Sequence, residues 1–248
     1  LEVVGHLQRA TWAEGARAGI DHLTHGAPWS VAYLPEDQRG GYRGTILDRL
    51  AWLEAVPPDG AAWQETVREL ASRGITVDPT LIAYRTKFVA DDPAYRDSAR
   101  LALAPESVRQ SWAEGSFTGG WTPEDFARGR AMWPRMLVLT RALHEGGVTL
   151  TAGSDLPNPW VVPGLSLHEE LQLLVDAGIP PLDVLCIATS NGARSLRLGS
   201  EVGTVEVGRQ ADLVVLAADP TNDIANTRAI AWVIVNGVPF RPQDLLAP

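Results

Sequence analysis

Between residues 2 and 200 the chain repeats one rhythm: a short β-branched run, then a helical stretch with a capped start or a glycine stop. "EVVG" (2–5) precedes "TWAEGARAG", where Thr11 and Glu14 stand at capping-box spacing and Gly19 ends the run. "IDHLTHG" (20–26) is a second strand. Residues 30–60, rich in glycine, proline and charge, are an excursion before the amphipathic "AAWQETVRELASRG", which ends at Gly74. "ITVDPTL" (75–81) is a third strand, and residues 85–121 mix polar and helical pieces without a sustained period. "TPEDFARGRAMWPRMLVLTRALHEGG" is helical, with Pro123 in its first turn and Pro134 placed to kink or split it. "VTLTAGSD" (148–155) is the fourth strand. "SLHEELQLLVDAG" is a helix with Ser166 and Glu169 as a second capping box and Gly178 as its stop, and "PPLDVLCIATSNGARSL" gives one or two more. Strands separated by helices cannot pair as hairpins, so the rhythm predicts parallel strands with helical crossovers. After residue 200 the texture changes to short strands and glycine turns, "GTVEVGRQADLVVLAADP" and "AIAWVIVNGVPF", a small β element apart from the α/β part.

Bulk properties narrow the function. With 248 residues, 45% of them hydrophobic and 21% charged, the chain can bury a substantial core. Its net charge of −9 leaves no electrostatic footprint for nucleic acid or an anionic membrane, and Lys87 is its only lysine. No apolar run approaches the ~18 residues of a membrane span. Cys186 is the single cysteine, so an internal disulfide is impossible and a reducing, cytoplasmic setting is expected. Its run "VLCIAT" predicts a small buried hydrophobe. The chain opens "LEVVGHLQ", without Met and already in a strand, which suggests the back part of something longer.

Three of the four strands end in a possible metal ligand: His6, His25 and Asp155. In a parallel α/β barrel the C-terminal strand ends open on one face, and residues distant in sequence converge there. Two imidazoles and a carboxylate suit a divalent ion such as zinc. A bound ion lowers the pKa of its water toward ~7, and a nearby carboxylate, Asp155, then serves as general base. The small residues before Asp155 let backbone and substrate approach closely. Structural roles for the same residues stay open, since a strand-end histidine is often only hydrogen-bonded and "SD" is often only a helix cap. His22, three residues before His25, falls on the opposite strand face. His144 lies near a helix C-terminus, where an imidazolium complements the dipole. His168, in a first helical turn, packs or caps. Trp29 and Tyr84 follow the second and third strands, either walling a substrate pocket or packing as loop aromatics.

These residues carry a resemblance. "GHLQRATWAEGARAGIDHLTHG" resembles the fifth-to-sixth strand segment of the amidohydrolase superfamily, in particular its imidazolonepropionase-like branch. "GITVDPTL" is similar to the seventh strand, "GVTLTAGSD" to the eighth, and the stretch from "LHEELQLLVDAG" through "ADLVVLAADP" to "VIVNG" to the C-terminal signature. The resemblance implies the C-terminal half of a metal-dependent (β/α)8 TIM-like barrel over residues 1–199, with part of a small β-sandwich over 200–248. It implies a hydrolase in which one or two divalent ions, most often zinc, activate water to cleave an amide, lactam or ester bond of a small molecule. By the same resemblance His6 matches the fifth-strand ligand, His25 the sixth-strand ligand, and Asp155 the eighth-strand aspartate that binds metal and shuttles protons. No His-x-His pair occurs here, as the family's first strand would carry, and Lys87 lies too late to be a fourth-strand lysine. About 150–200 N-terminal residues are therefore expected to be missing, supplied by a longer chain or a partner chain. Homo-oligomers are compatible with this, and the alternative is a non-catalytic half-barrel that acts as a binding or assembly partner.

Overall fold

A computed structural model describes residues 1–96, 99–114 and 117–245. Its first sheet is parallel, ordered β1 (Val4–Gly5), β2 (His22–Thr24), β3 (Thr76–Asp78), β4 (Thr149–Leu150). Register aligns Gly5, Leu23, Val77 and Leu150 in one row across the sheet. Leu23, Val77 and Leu150 are buried, and a Cβ at Gly5 would strike the Ile20 side chain at 2.0 Å. This row faces the helices. Alternation puts Val4, His22, Thr76 and Thr149 on the other face. The expected parallel sheet and crossovers are present. Among the described residues β1 and β4 each have a single neighbour, so the sheet is open, and the edge at β1 leaves Val3 and Val4 exposed.

The helices form where their caps and apolar stripes direct. Thr11 and Glu14 make the reciprocal capping box of the Trp12–Arg17 helix, and Gly74, at φ 68°, ends the Ala61–Arg73 helix. Trp12 and Trp63 of these two helices meet over the sheet, with ring centroids 5.9 Å apart. Two further capping boxes, Thr45 with Asp48 and Thr122 with Asp125, start the Ile46–Ala55 and Pro123–Glu145 helices.

Three expectations give way here. The Pro123–Glu145 helix is not split at Pro134 but runs 23 residues through it. Its buried Met136, Leu139, Thr140 and Leu143 lie beyond the proline, and their packing outweighs one missing backbone hydrogen bond. Ser166 is no cap: the Leu165–Asp176 helix starts after Gly164, Ser166 is buried inside it, and Glu169 instead grips Arg100 with both oxygens. Cys186 is exposed, because the Pro181–Cys186 helix and the turn after it direct Val184 and Ile187 to the core and leave the thiol on the opposite side.

Residues 85–121 hold short pieces, among them Pro93–Arg96 and Glu106–Glu114. Leu101, Trp112, Phe126, Trp160 and Val162 gather there in a second apolar cluster. Trp112 donates its indole N–H to the Pro157 carbonyl at 3.3 Å, which ties this cluster to the loop after β4. The last strands, β5 (Leu213–Leu216), β6 (Ile230–Val235) and β7 (Val238–Phe240), form an antiparallel sheet in sequence order. His168 reaches toward this part, its Nδ1 2.9 Å from the Thr227 hydroxyl. His144 pairs with Asp183 at 3.3 Å, near its helix C-terminus. Among the described residues no helix is long and apolar enough to cross a membrane.

Candidate active site

The C-terminal ends of the four strands open on a cavity of about 490 Å³ lined by His6, His25, Arg49, Tyr84, Lys87, Asp155 and Asn158, among others. His6 follows β1, His25 follows β2 and Asp155 lies in the loop after β4, so the topology brings all three predicted residues to one wall. The two imidazoles touch edge to face, 4.4 Å between centroids. Among the described residues no three side chains of His, Cys, Asp or Glu close into a metal-binding group. The histidine pair is assembled, and Asp155 lines the same cavity.

His25 is the most constrained of these residues. It is buried, at φ 76°, with its backbone N–H on the Asp78 carbonyl at 2.7 Å and its Nδ1 2.7 Å from the Thr80 hydroxyl. Burial chiefly, then His6, Arg49 and Lys87, lowers its pKa to about 3, so the ring is neutral. With Nδ1 occupied by Thr80, Nε2 is left as the free donor atom, an arrangement suited to metal ligation. Burial and Arg49 lower the pKa of the more exposed His6, against a smaller opposing pull from Asp155. Asp155 has φ 56°; burial raises its carboxyl above the usual aspartate range, while Lys87 is the foremost group pulling it back. His25, Thr80 and Asp155 all sit in the left-handed region that non-glycine residues avoid, so backbone strain concentrates around this cavity.

A buried scaffold holds these conformations. Glu170, fully buried on the Leu165–Asp176 helix, accepts the Leu81 and Ile82 backbone N–H groups at 2.9 and 2.7 Å. It thereby caps the Leu81–Phe88 helix from outside and fixes Thr80, the residue bonded to His25. Asp78, at the end of β3, accepts from Thr80 N–H at 3.2 Å and Gly153 N–H at 3.1 Å. A Cβ at Gly153 would lie 2.3 Å from Asp78 Oδ2. The small residues ahead of Asp155 therefore serve the approach of a neighbouring carboxyl, an additional reason for "TAGSD" that the sequence does not disclose.

Tyr84 forms part of the cavity wall, while Trp29 is buried behind it, their ring centroids 5.3 Å apart. His22 lies on the other side of the sheet, 3.5 Å from Glu2, in a separate cleft of about 630 Å³ at the strand starts. Two site residues escape sequence reasoning. Arg49 lies in the glycine- and proline-rich stretch 30–60, which contains the capped Ile46–Ala55 helix; the Thr45–Asp48 spacing is its one local signal. Lys87 sits three residues after Tyr84 on the Leu81–Phe88 helix, a spacing that places both on one face. Its Nζ bonds the Ala83 carbonyl and, at 3.2 Å, Asn158 Oδ1.

Residues 37–239 match the model of the family described as "Amidohydrolase family". The imidazolonepropionase of Symbiobacterium thermophilum is 36% identical over 83 residues, 33% of this chain and 19% of that protein. A 5-methylthioadenosine/S-adenosylhomocysteine deaminase of Thermoanaerobacter pseudethanolicus is 34% identical over 82 residues, 29% and 19% of the two chains. Among solved structures, a bottromycin amidohydrolase superposes with a TM-score of 0.71 at 27% identity, covering 99% of this chain and 51% of that one. The chain thus spans about half the length of that structure, and its matches cover about a fifth of the curated relatives.

Proposed function

The chain belongs to the amidohydrolase family, in its imidazolonepropionase-like branch, and from that premise we propose that it carries half of a metal-dependent hydrolytic site acting on an amide, lactam or ester bond of a small molecule. The observation that carries this reading is the His6–His25 pair with Asp155 in the same cavity, at the C-terminal ends of parallel strands. The donor chemistry fits a divalent ion such as zinc. Both imidazoles are kept neutral, and Thr80 orients His25 so that Nε2 is available. His6 and His25 would hold the ion, with Asp155 as the carboxylate of the set. When bound, the ion supplies an acidified water and polarises the scissile carbonyl.

The chain's own residues do the rest. Asp155, its pKa raised by burial, takes the proton of the attacking water at its carboxylate and returns it to the leaving nitrogen or oxygen. Lys87 and Asn158 fix the loop carrying it: Asn158 donates to the Asp155 carbonyl at 2.7 Å and accepts from Lys87. Tyr84, neutral with its pKa raised by burial to about 12, receives a hydrogen bond from Arg49 and walls the cavity. The remaining ligands and the other half of the barrel belong, in this reading, to strands preceding residue 1 or to a partner chain, and the exposed Val3 and Val4 at the open edge support it. An isolated chain of these residues would then be inactive.

The test is hydrolysis by the native protein of a panel of small amides, lactams and esters with Zn²⁺ or Mn²⁺ added. Metal-dependent turnover of at least one member is expected. Failure on the whole panel, with metal demonstrably bound, would reject the reading.

A further inference from the structure

A second pocket, of about 470 Å³, lies beside the catalytic cavity and shares Gly44 with it. Gln8 and Arg9 reach it from the loop after β1, and Val31, Arg39, Tyr42 and Arg43 from the stretch after β2. The two segments meet at Gly44, whose φ is 80° and where a Cβ would lie 3.0 Å from Gln8 Oε1. Three arginines from two segments therefore line one hollow.

Their charges are not answered within the chain. Among the described residues no carboxylate lines this pocket, and every ion pair within 4.0 Å leaves Arg9, Arg39 and Arg43 out. Such clustering runs against the composition, in which 30 Asp and Glu outnumber 21 Lys and Arg. Elsewhere arginines take carboxylates: Arg17 and Arg73 hold Glu69, Arg128 holds Glu54 and Arg130 holds Asp91. The cleft of about 630 Å³ at the strand starts also has arginines, but Glu2 and Asp21 line it with them. Asp48, the carboxylate bonded to this segment, directs its Oδ2 to the Arg43 and Thr45 backbone N–H groups at 3.0 and 2.9 Å.

Backbone carbonyls orient two of the three side chains. Arg39 donates from Nε to Leu34 at 2.9 Å and from Nη2 to Ala32 at 3.2 Å, and Arg43 donates from Nη1 to Gly40 at 3.2 Å. Carbonyls fix a guanidinium without neutralising it, so the positive charge stays available to a ligand. One guanidinium fork satisfies the two oxygens of a carboxylate, whereas three guanidinium groups suit the three terminal oxygens and higher charge of a phosphate. Val31 and Tyr42, both half-buried, add carbon surface, and the volume leaves room for a small organic body beside that group.

We propose that Arg9, Arg39 and Arg43 form a binding site for a phosphate group, outside the catalytic cavity and next to it. The group is presented by a small phosphomonoester or by free phosphate, and its binding does not depend on the hydrolytic reaction.

Isothermal titration of the full chain, treated with chelator, compares phenyl phosphate, inorganic phosphate and phenol. Phenyl phosphate is expected to bind with a Kd below about 1 mM at low salt, to weaken as salt is raised, and to bind far more tightly than phenol. Arg9→Gln, Arg39→Gln and Arg43→Gln each weaken it at least about fivefold. Arg141→Gln removes the same charge from a surface pair with Glu145 and leaves the affinity unchanged. Should Arg39→Gln fail to melt cooperatively, Arg9→Gln and Arg43→Gln carry the test. Phenyl phosphate binding more tightly than inorganic phosphate supports the site and assigns it to a phosphomonoester; equal affinity supports it and assigns it to the free ion. Binding of neither anion at millimolar concentration, affinity that survives the arginine substitutions, or an equal loss in Arg141→Gln would overturn it. So would a loss confined to Lys87→Met, which would place the anion in the catalytic cavity.

Discussion

Asp155→Asn is expected to lower turnover by about 10²- to 10⁴-fold, the range a positioned proton-transfer group contributes. The substitution keeps shape and one oxygen, so the protein should fold and retain part of its metal. What is lost is an acceptor that can take and return a proton. The position is special on two counts: its backbone is at φ 56°, and burial raises its carboxyl while Lys87 opposes. Asn tolerates left-handed backbone better than most residues, so the loop geometry is preserved. Steady-state kinetics on a substrate from the amide and ester panel, with metal content measured on the same sample, checks this. Unchanged turnover would remove Asp155 from the proton path.

Glu170→Ala is expected to cost about 2–4 kcal/mol of stability, from two buried backbone N–H groups left without an acceptor and from the cavity left behind. Chemical denaturation measures it, and a loss below about 0.5 kcal/mol would show that the cap is dispensable. The same residue has a pH signature. Burial raises its pKa from 4.5 to about 8, so the folded protein keeps a proton that the unfolded chain releases. Folded Glu170 therefore contributes most below the unfolded value, and stability falls as pH rises toward about 8. The stability difference between wild type and Glu170→Gln should shrink from pH 5 to pH 8, across the window set by that raised pKa of about 8. Because Glu170 acts on His25 through the helix start and Thr80, the alanine variant should also lose activity at temperatures where it is still folded.

Sequence pattern exposes those parts of the fold governed by local chemistry. The Thr11–Glu14 box, the Gly74 stop, the four strands and the change of texture after residue 200 follow from spacing and glycine placement, and the structure has them. Convergence of His6, His25 and Asp155 on one cavity follows from strand-end position in a parallel sheet. What stays hidden depends on contacts distant in sequence. Ser166 and Glu169 have capping-box spacing, yet Arg100, 69 residues away from Glu169, takes the carboxylate. Pro134 carries a helix-breaking signal that packing overrides. Arg49 is invisible as a site residue because nothing local reveals that its helix folds back over Tyr84, 35 residues later. Asp78 and Glu170 are ordinary carboxylates by spacing, and only burial gives them their roles.

His6 and His25 are the residues proposed to hold a catalytic metal ion. The most direct measurement is the metal content of the native protein, by inductively coupled plasma mass spectrometry, compared with that of His25→Ala. The neutral, edge-to-face pair predicts a divalent ion in the wild type that is largely lost from the variant. Equal metal content in the two proteins, or none in the wild type after incubation with Zn²⁺, would contradict it and return His25 to a structural role.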